Sequence, residues 1–147
     1  ATLPAAELRN LAAISELLAE VPLMGRTRLA ETLLQRDYIP QLVQLFGVAE
    51  DLEGTEDLHR LFSIFKAIVM LNNTNIYEVL LRDDMLMGVV GALEYDPELR
   101  CHKVAHRLFL REKARFKHVV PFGDEAVVRK IHQNFYLGFL KDVVLPH

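Results

Sequence analysis

The chain has no tryptophan and a single cysteine, Cys101, among its 147 residues. One thiol excludes an internal disulfide and fits a reducing compartment. No apolar run reaches transmembrane length, and no signal peptide is visible at the start. The signatures of several common chemistries are missing too. There is no HExxH or CxxC for zinc, no G-x-S-x-G elbow, and neither GxxxxGKS/T nor GxGxxG for phosphates. Strand-like alternation is absent, except that 117–122 is expected to be briefly extended.

What is present is apolar surface and an uneven distribution of charge. Hydrophobic residues make up 51% of the chain, enough for a real core in a single domain. The net charge is only −3. Residues 1–98 hold 16 acids and 7 Lys or Arg, a balance of −9, whereas 99–147 hold 4 acids and 10 Lys or Arg, a balance of +6. Such asymmetry bears on partners rather than on fold. The chain begins without Met and ends on an apolar run followed by Pro146. It is therefore expected to be a segment of a larger protein.

The periodicity is helical nearly throughout. Leu8, Leu11, Ile14, Leu17, Leu18 and Val21 recur at spacings of three and four, and Pro22 and Gly25 close that helix. A second helix is expected from about 26 to 36. A third starts near Asp37, with Ile39, Leu42, Val43, Leu45 and Phe46 inward. Gly54 and Thr55 open a fourth, strongly apolar from 58 to 71. Asn72 and Asn73 break it, with Asn73 or Thr74 capping the next. Asp83 or Asp84 is expected to cap a further helix reaching Tyr95. Asp96-Pro97 reads as a cap with proline in the first turn. Gly123-Asp124 restarts the chain for a last helix to about Val144. Shifting residues 29–46 by 47 positions lays them on 76–93 without a gap. Glu31 meets Glu78, Leu33 and Leu34 meet Leu80 and Leu81, Asp37 meets Asp84, and Val43 meets Val90. A period in the forties with two or three helices per unit is that of armadillo and HEAT repeats. The fold class is therefore all-α, an armadillo/HEAT-like segment of an α-solenoid.

Cys101, His102 and His106 lie close, and His102 and His106 share a helix face, but no further ligand cluster completes a zinc site. Packed or solvated histidines account for them better. Cys101 as a nucleophile would need a base beside it, and adjacent side chains diverge on a helix. Among the acids Asp83, Asp84, Glu94, Asp96 and Glu98, three are better read as helix caps than as paired carboxylates. The aromatics Phe109, Phe116, Phe122, Phe135, Tyr136 and Phe139 fit a core better than a base-stacking platform, and no RNP-like pattern appears. The serious candidate is a basic stripe. Arg100, Lys103, Arg107, Arg111 and Arg115 are spaced by three and four, which places them within about a 120° arc of one helix face. Glu112 is the only acid between 99 and 118. Such a face could hold an acidic or phosphorylated peptide, or a nucleic-acid backbone. It could equally be solvated, or neutralised by the acidic first half of the same chain.

A series of short motifs carries a family resemblance. It runs Glu94-Tyr95-Asp96-Pro97-Glu98-Leu99, His106-Arg107-x-Phe109-Leu110, Arg115-Phe116-Lys117-x-Val119-Val120-Pro121, Ile131-His132-Gln133 and Leu140-Lys141-Asp142-Val143-Val144-Leu145-Pro146. Upstream it extends through Gln44-Leu45-Phe46, Glu50-Asp51-Leu52-Glu53, Thr55-Glu56-x-Leu58-His59, Leu71-Asn72 and Glu78-Val79. In this order they resemble the SMEK-type regulatory subunits of protein phosphatase 4. One departure is Leu108, where that family usually has an acid.

The resemblance implies that 1–147 is a single armadillo-like domain excised from a larger multidomain protein. That protein would carry a pleckstrin-like or EVH1-like domain before this segment, with further repeats and a low-complexity tail after it. It implies a non-catalytic role in directing phosphatase 4 to substrates, with no cofactor of its own. Expected partners are the catalytic subunit, the other regulatory subunit and phosphatase substrates, with no membrane. The expected location is nucleus and cytoplasm. The alternative from a different class is a helical module binding nucleic acid through 100–117, which the overall negative charge disfavours.

Overall fold

The structure, a computed structural model, describes residues 3–20, 25–98, 106–108 and 125–144. A short 3-10 turn at Leu8–Asn10 leads into α1 (Leu11–Glu20). There follow α2 (Arg26–Leu33), α3 (Tyr38–Asp51), α4 (Thr55–Met70), α5 (Thr74–Leu80) and α6 (Leu86–Ala92). Residues 106–108 form a helical turn, and α7 (Glu125–Val144) closes the described chain. No strand occurs among the described residues. The stretch 117–122 lies outside them.

The six helices α1–α6 form two copies of one three-helix unit. The 47-residue shift carries α1 onto α4, α2 onto α5 and α3 onto α6. Buried positions map onto buried positions. Leu11, Ile14 and Leu18 fall on Leu58, Leu61 and Phe65, while Ile39, Leu42 and Phe46 fall on Leu86, Val89 and Leu93. Equivalent helices stack: α1 packs on α4, and α3 on α6. This is a helical repeat, and the stacking of like on like is what makes it extend in one dimension.

At the centre lies α4, in contact with α1, α3, α5, α6 and α7. Its apolar residues recur so closely that Leu58, Leu61, Ile64, Phe65, Ile68 and Val69 are all buried. Glu56 and Asp57 sit in its first turn, where the helix dipole favours negative charge. Gly88 and Gly91 let α6 approach α3 closely. A Cβ on Gly88 would collide with the Val43 side chain, and one on Gly91 would lie 2.7 Å from the Phe46 ring.

The punctuation is partly as expected. Asn73 caps α5, its Oδ1 accepting the Ile76 N–H at 3.1 Å. Neither Asp83 nor Asp84 caps α6. That helix starts at Leu86 behind Met85, with no side-chain cap. Asp84 instead pairs with Arg82 at 2.7 Å, which holds its carboxyl below the usual range. The same helix ends at Ala92 rather than Tyr95, because Glu94 and Tyr95 are drawn into tertiary contacts.

Candidate functional site

Where α6 ends, the chain places a carboxylate in the core. Glu94 is 3% exposed, the one buried charged residue among those described. A charge in that position must be paired and hydrogen-bonded. Arg107, from the 106–108 turn, does both. Its backbone N–H donates to Glu94 Oε2 at 2.9 Å, and its Nε donates to Glu94 Oε1 at 2.8 Å. The other edge of the guanidinium reaches α3. Nη1 and Nη2 donate to Glu50 Oε1 and Oε2 at 3.0 and 2.6 Å, the two-pronged geometry at which arginine excels.

Aromatic residues surround this clamp. The Tyr95 hydroxyl donates to Glu50 Oε2 at 2.7 Å. The Arg107 guanidinium lies over the Phe46 ring, 5.6 Å from its centroid, and Tyr95 meets Phe46 edge-on at 6.0 Å. Gly91 makes room, since a Cβ there would also stand 3.1 Å from Arg107 Nε. The hydrogen bonds it donates to Glu50, and then to Glu94, raise the arginine pKa further above its ordinary value against the opposing effect of burial. The clamp thus joins α3, the end of α6 and the 106–108 turn. Each of its polar atoms is engaged in holding position, and none is poised as a nucleophile or base.

His106, next to the clamp, packs edge-on against Phe139 of α7 at 5.6 Å. Burial lowers its pKa, with Glu94 opposing. It is a packed histidine. Among the described residues no group of three His, Cys, Asp or Glu could hold a metal ion. No helix among them is long and apolar enough to cross a membrane.

Of the basic stripe, the structure describes only Arg107. Arg100, Lys103, Arg111 and Arg115 lie outside the described residues, as do Cys101 and His102. Arg107 spends its guanidinium on two acids of the first half of the chain, and Leu108 beside it is 58% exposed. Sequence reasoning missed Glu50, Tyr95 and Phe46 as its partners. The available signal was Glu94 itself, an acid ending the apolar run of α6. Asp96 Oδ1 accepts the Glu98 N–H at 2.9 Å, while the helix that Asp96-Pro97 is expected to cap lies outside the described residues.

Comparison with known proteins adds a family. The family model described as phosphatase 4 regulatory subunit 3 matches residues 11–147. An uncharacterized protein of Schizosaccharomyces pombe is 44% identical over 97% of the chain and 18% of its own length. The protein named Suppressor of Mek1 in Dictyostelium discoideum is 40% identical over 98% of the chain and 14% of its own length. The Drosophila melanogaster protein named serine/threonine-protein phosphatase 4 regulatory subunit 3 is 41% identical over 98% of the chain and 15% of its own length. The chain thus spans less than a fifth of the length of these relatives. No solved structure matches it.

Proposed function

The chain belongs to the phosphatase 4 regulatory subunit 3 family, and from that premise we propose that it is a non-catalytic scaffold segment of a protein phosphatase 4 complex. Its proposed partners are the catalytic subunit, the companion regulatory subunit and phosphatase substrates, met in nucleus and cytoplasm. We take 1–147 as one armadillo-like domain within a longer protein. The observation that carries the reading is the family match over 11–147 on a chain built as stacked helical repeats. Such stacks present extended surfaces to other proteins.

Within this reading the proposed partner contacts are Arg100, Lys103, Arg111 and Arg115, while Arg107 is an anchor held by Glu50 and Glu94. The test reverses charge away from the anchor. In the full-length protein, Arg111→Glu with Arg115→Glu is expected to weaken co-purification of a complex subunit or substrate while the thermal melt stays unchanged. Normal recruitment by that double variant removes the stripe as the contact. Arg107→Glu is unsuited to the purpose, because it would set a third carboxylate against Glu50 and Glu94 and unsettle the fold.

A further inference from the structure

The outer face of α4 forms one wall of a groove that the clamp does not touch. Phe62, Ala67 and Met70 line it from the helix, and Pro97 faces them from the turn after α6. Its volume is about 300 Å³, the lower end of the range of ligand-binding clefts. Ala67 and Met70 lie on the side of α4 away from the buried Leu61, Ile64, Phe65 and Ile68, and Phe62, itself 6% exposed, sits between the two sides. The groove is therefore a surface feature of a helix whose other side is fixed in the core. Met70 is 49% exposed. Methionine is also the residue best able to reshape itself around a guest.

The polar groups of the groove are few and of unequal sign. Asp96 and Glu98 stand on the turn side and Lys66 on the helix side. Asp96 is held in place by accepting the Glu98 N–H. Ser63 also lines the groove and donates its hydroxyl proton to the His59 carbonyl at 3.2 Å, which leaves its oxygen lone pairs to accept from a guest. Among the described residues the groove thus offers an apolar floor, a net negative rim and one cation. A small apolar molecule would leave the rim charges unanswered.

We propose that this groove docks a short peptide segment of a partner protein that carries one bulky apolar side chain beside a lysine or arginine. The apolar side chain fills the space between Phe62, Met70 and Pro97. The basic residue meets Asp96 and Glu98, and Lys66 takes a backbone carbonyl of the peptide. A buried apolar anchor with a charged rim is a common division of labour in peptide recognition. None of the groove residues named above belongs to the basic stripe, so its failure and the failure of the scaffold reading are distinguishable.

The experiment uses the purified full-length protein and an end-capped, glycine-rich fluorescent peptide. The peptide carries a photoreactive phenylalanine analogue with an arginine two residues away, and its control has glutamate for arginine. Crosslinks are expected on the α4 face around Phe62, Ala67 and Met70. The arginine peptide is expected to bind about five-fold more tightly than the glutamate control, the ratio that two or three solvent-exposed ion pairs would give. Glu98→Lys is expected to abolish that preference without changing the melt. Crosslinks elsewhere, no crosslink, or equal binding of the two peptides overturns the proposal. So does equally tight binding of an uncharged aromatic probe, which would mark a small-molecule cleft. A change of mass on Met70→Glu in sedimentation also overturns it, because it would give the groove to a second copy of the chain.

Discussion

Glu94 receives both the backbone N–H and the guanidinium of Arg107, so a single buried carboxylate fixes where the 106–108 turn meets the repeats. The same guanidinium continues to Glu50 on α3. Removing one partner leaves a buried charge uncompensated. Arg107→Ala is expected to cost about 3 kcal/mol in urea denaturation. Arg107→Met with Glu94→Leu is expected to recover most of that loss, since it removes both desolvated charges. A double variant no more stable than Arg107→Ala would show that the clamp is not a pair.

Glycines should separate by what surrounds them. Gly91→Ala pushes a methyl against the Phe46 ring and Arg107 Nε, and is expected to cost about 1–3 kcal/mol. Gly47→Ala and Gly138→Ala meet nothing within 4 Å. Both lie inside helices, so each is expected to gain about 0.5–1 kcal/mol. Thermal melts of the three single variants decide it.

The end of α3 carries a residue that its conformation disfavours. Glu53 has φ 54°, with its N–H bonded to the Glu50 carbonyl and the Gly54 N–H to the Ala49 carbonyl. This is the Schellman arrangement, which ordinarily holds glycine, and a carboxylate there also opposes the helix dipole. Glu53→Gly is expected to raise stability by about 0.5–1 kcal/mol. The equivalent left-handed position after α4 is Asn72, a residue suited to it, so Asn72→Gly should gain less and would also lose the contact with the Tyr77 hydroxyl at 3.0 Å.

His106 sets a pH dependence. Burial lowers its pKa in the folded state below the ordinary 6.5. Between the two values the unfolded chain binds more protons. The stabilising contribution is therefore full above about 6.5 and falls as pH drops below it. Denaturation midpoints measured from pH 7.5 downward should decline across that window, and His106→Phe should flatten the slope. An unchanged slope in the variant would assign the decline to other groups.

The repeat was legible in the sequence because it is local. Apolar spacing located the helices, and the 47-residue echo matched 29–46 to 76–93. The structure carries the echo back to α1 and α4, where Leu11, Ile14 and Leu18 match Leu58, Leu61 and Phe65 by burial alone. Asn73 was legible as a cap because a cap is read three residues away. Asp84 was not, because its partner Arg82 competes for the same carboxylate. The clamp was out of reach for a different reason. Arg107 finds Glu94 13 positions away and Glu50 57 away, and periodicity says nothing of pairing at that range. Its spacing placed it on a basic stripe, while its bonds place it inside the stack.

The measurement that most directly tests the scaffold role is affinity purification of the full-length protein with and without residues 1–147, reading co-purified phosphatase 4 subunits and substrates. Deletion is expected to deplete at least one complex subunit or substrate from the preparation. Recovery of the same partners in the same amounts after deletion would contradict it.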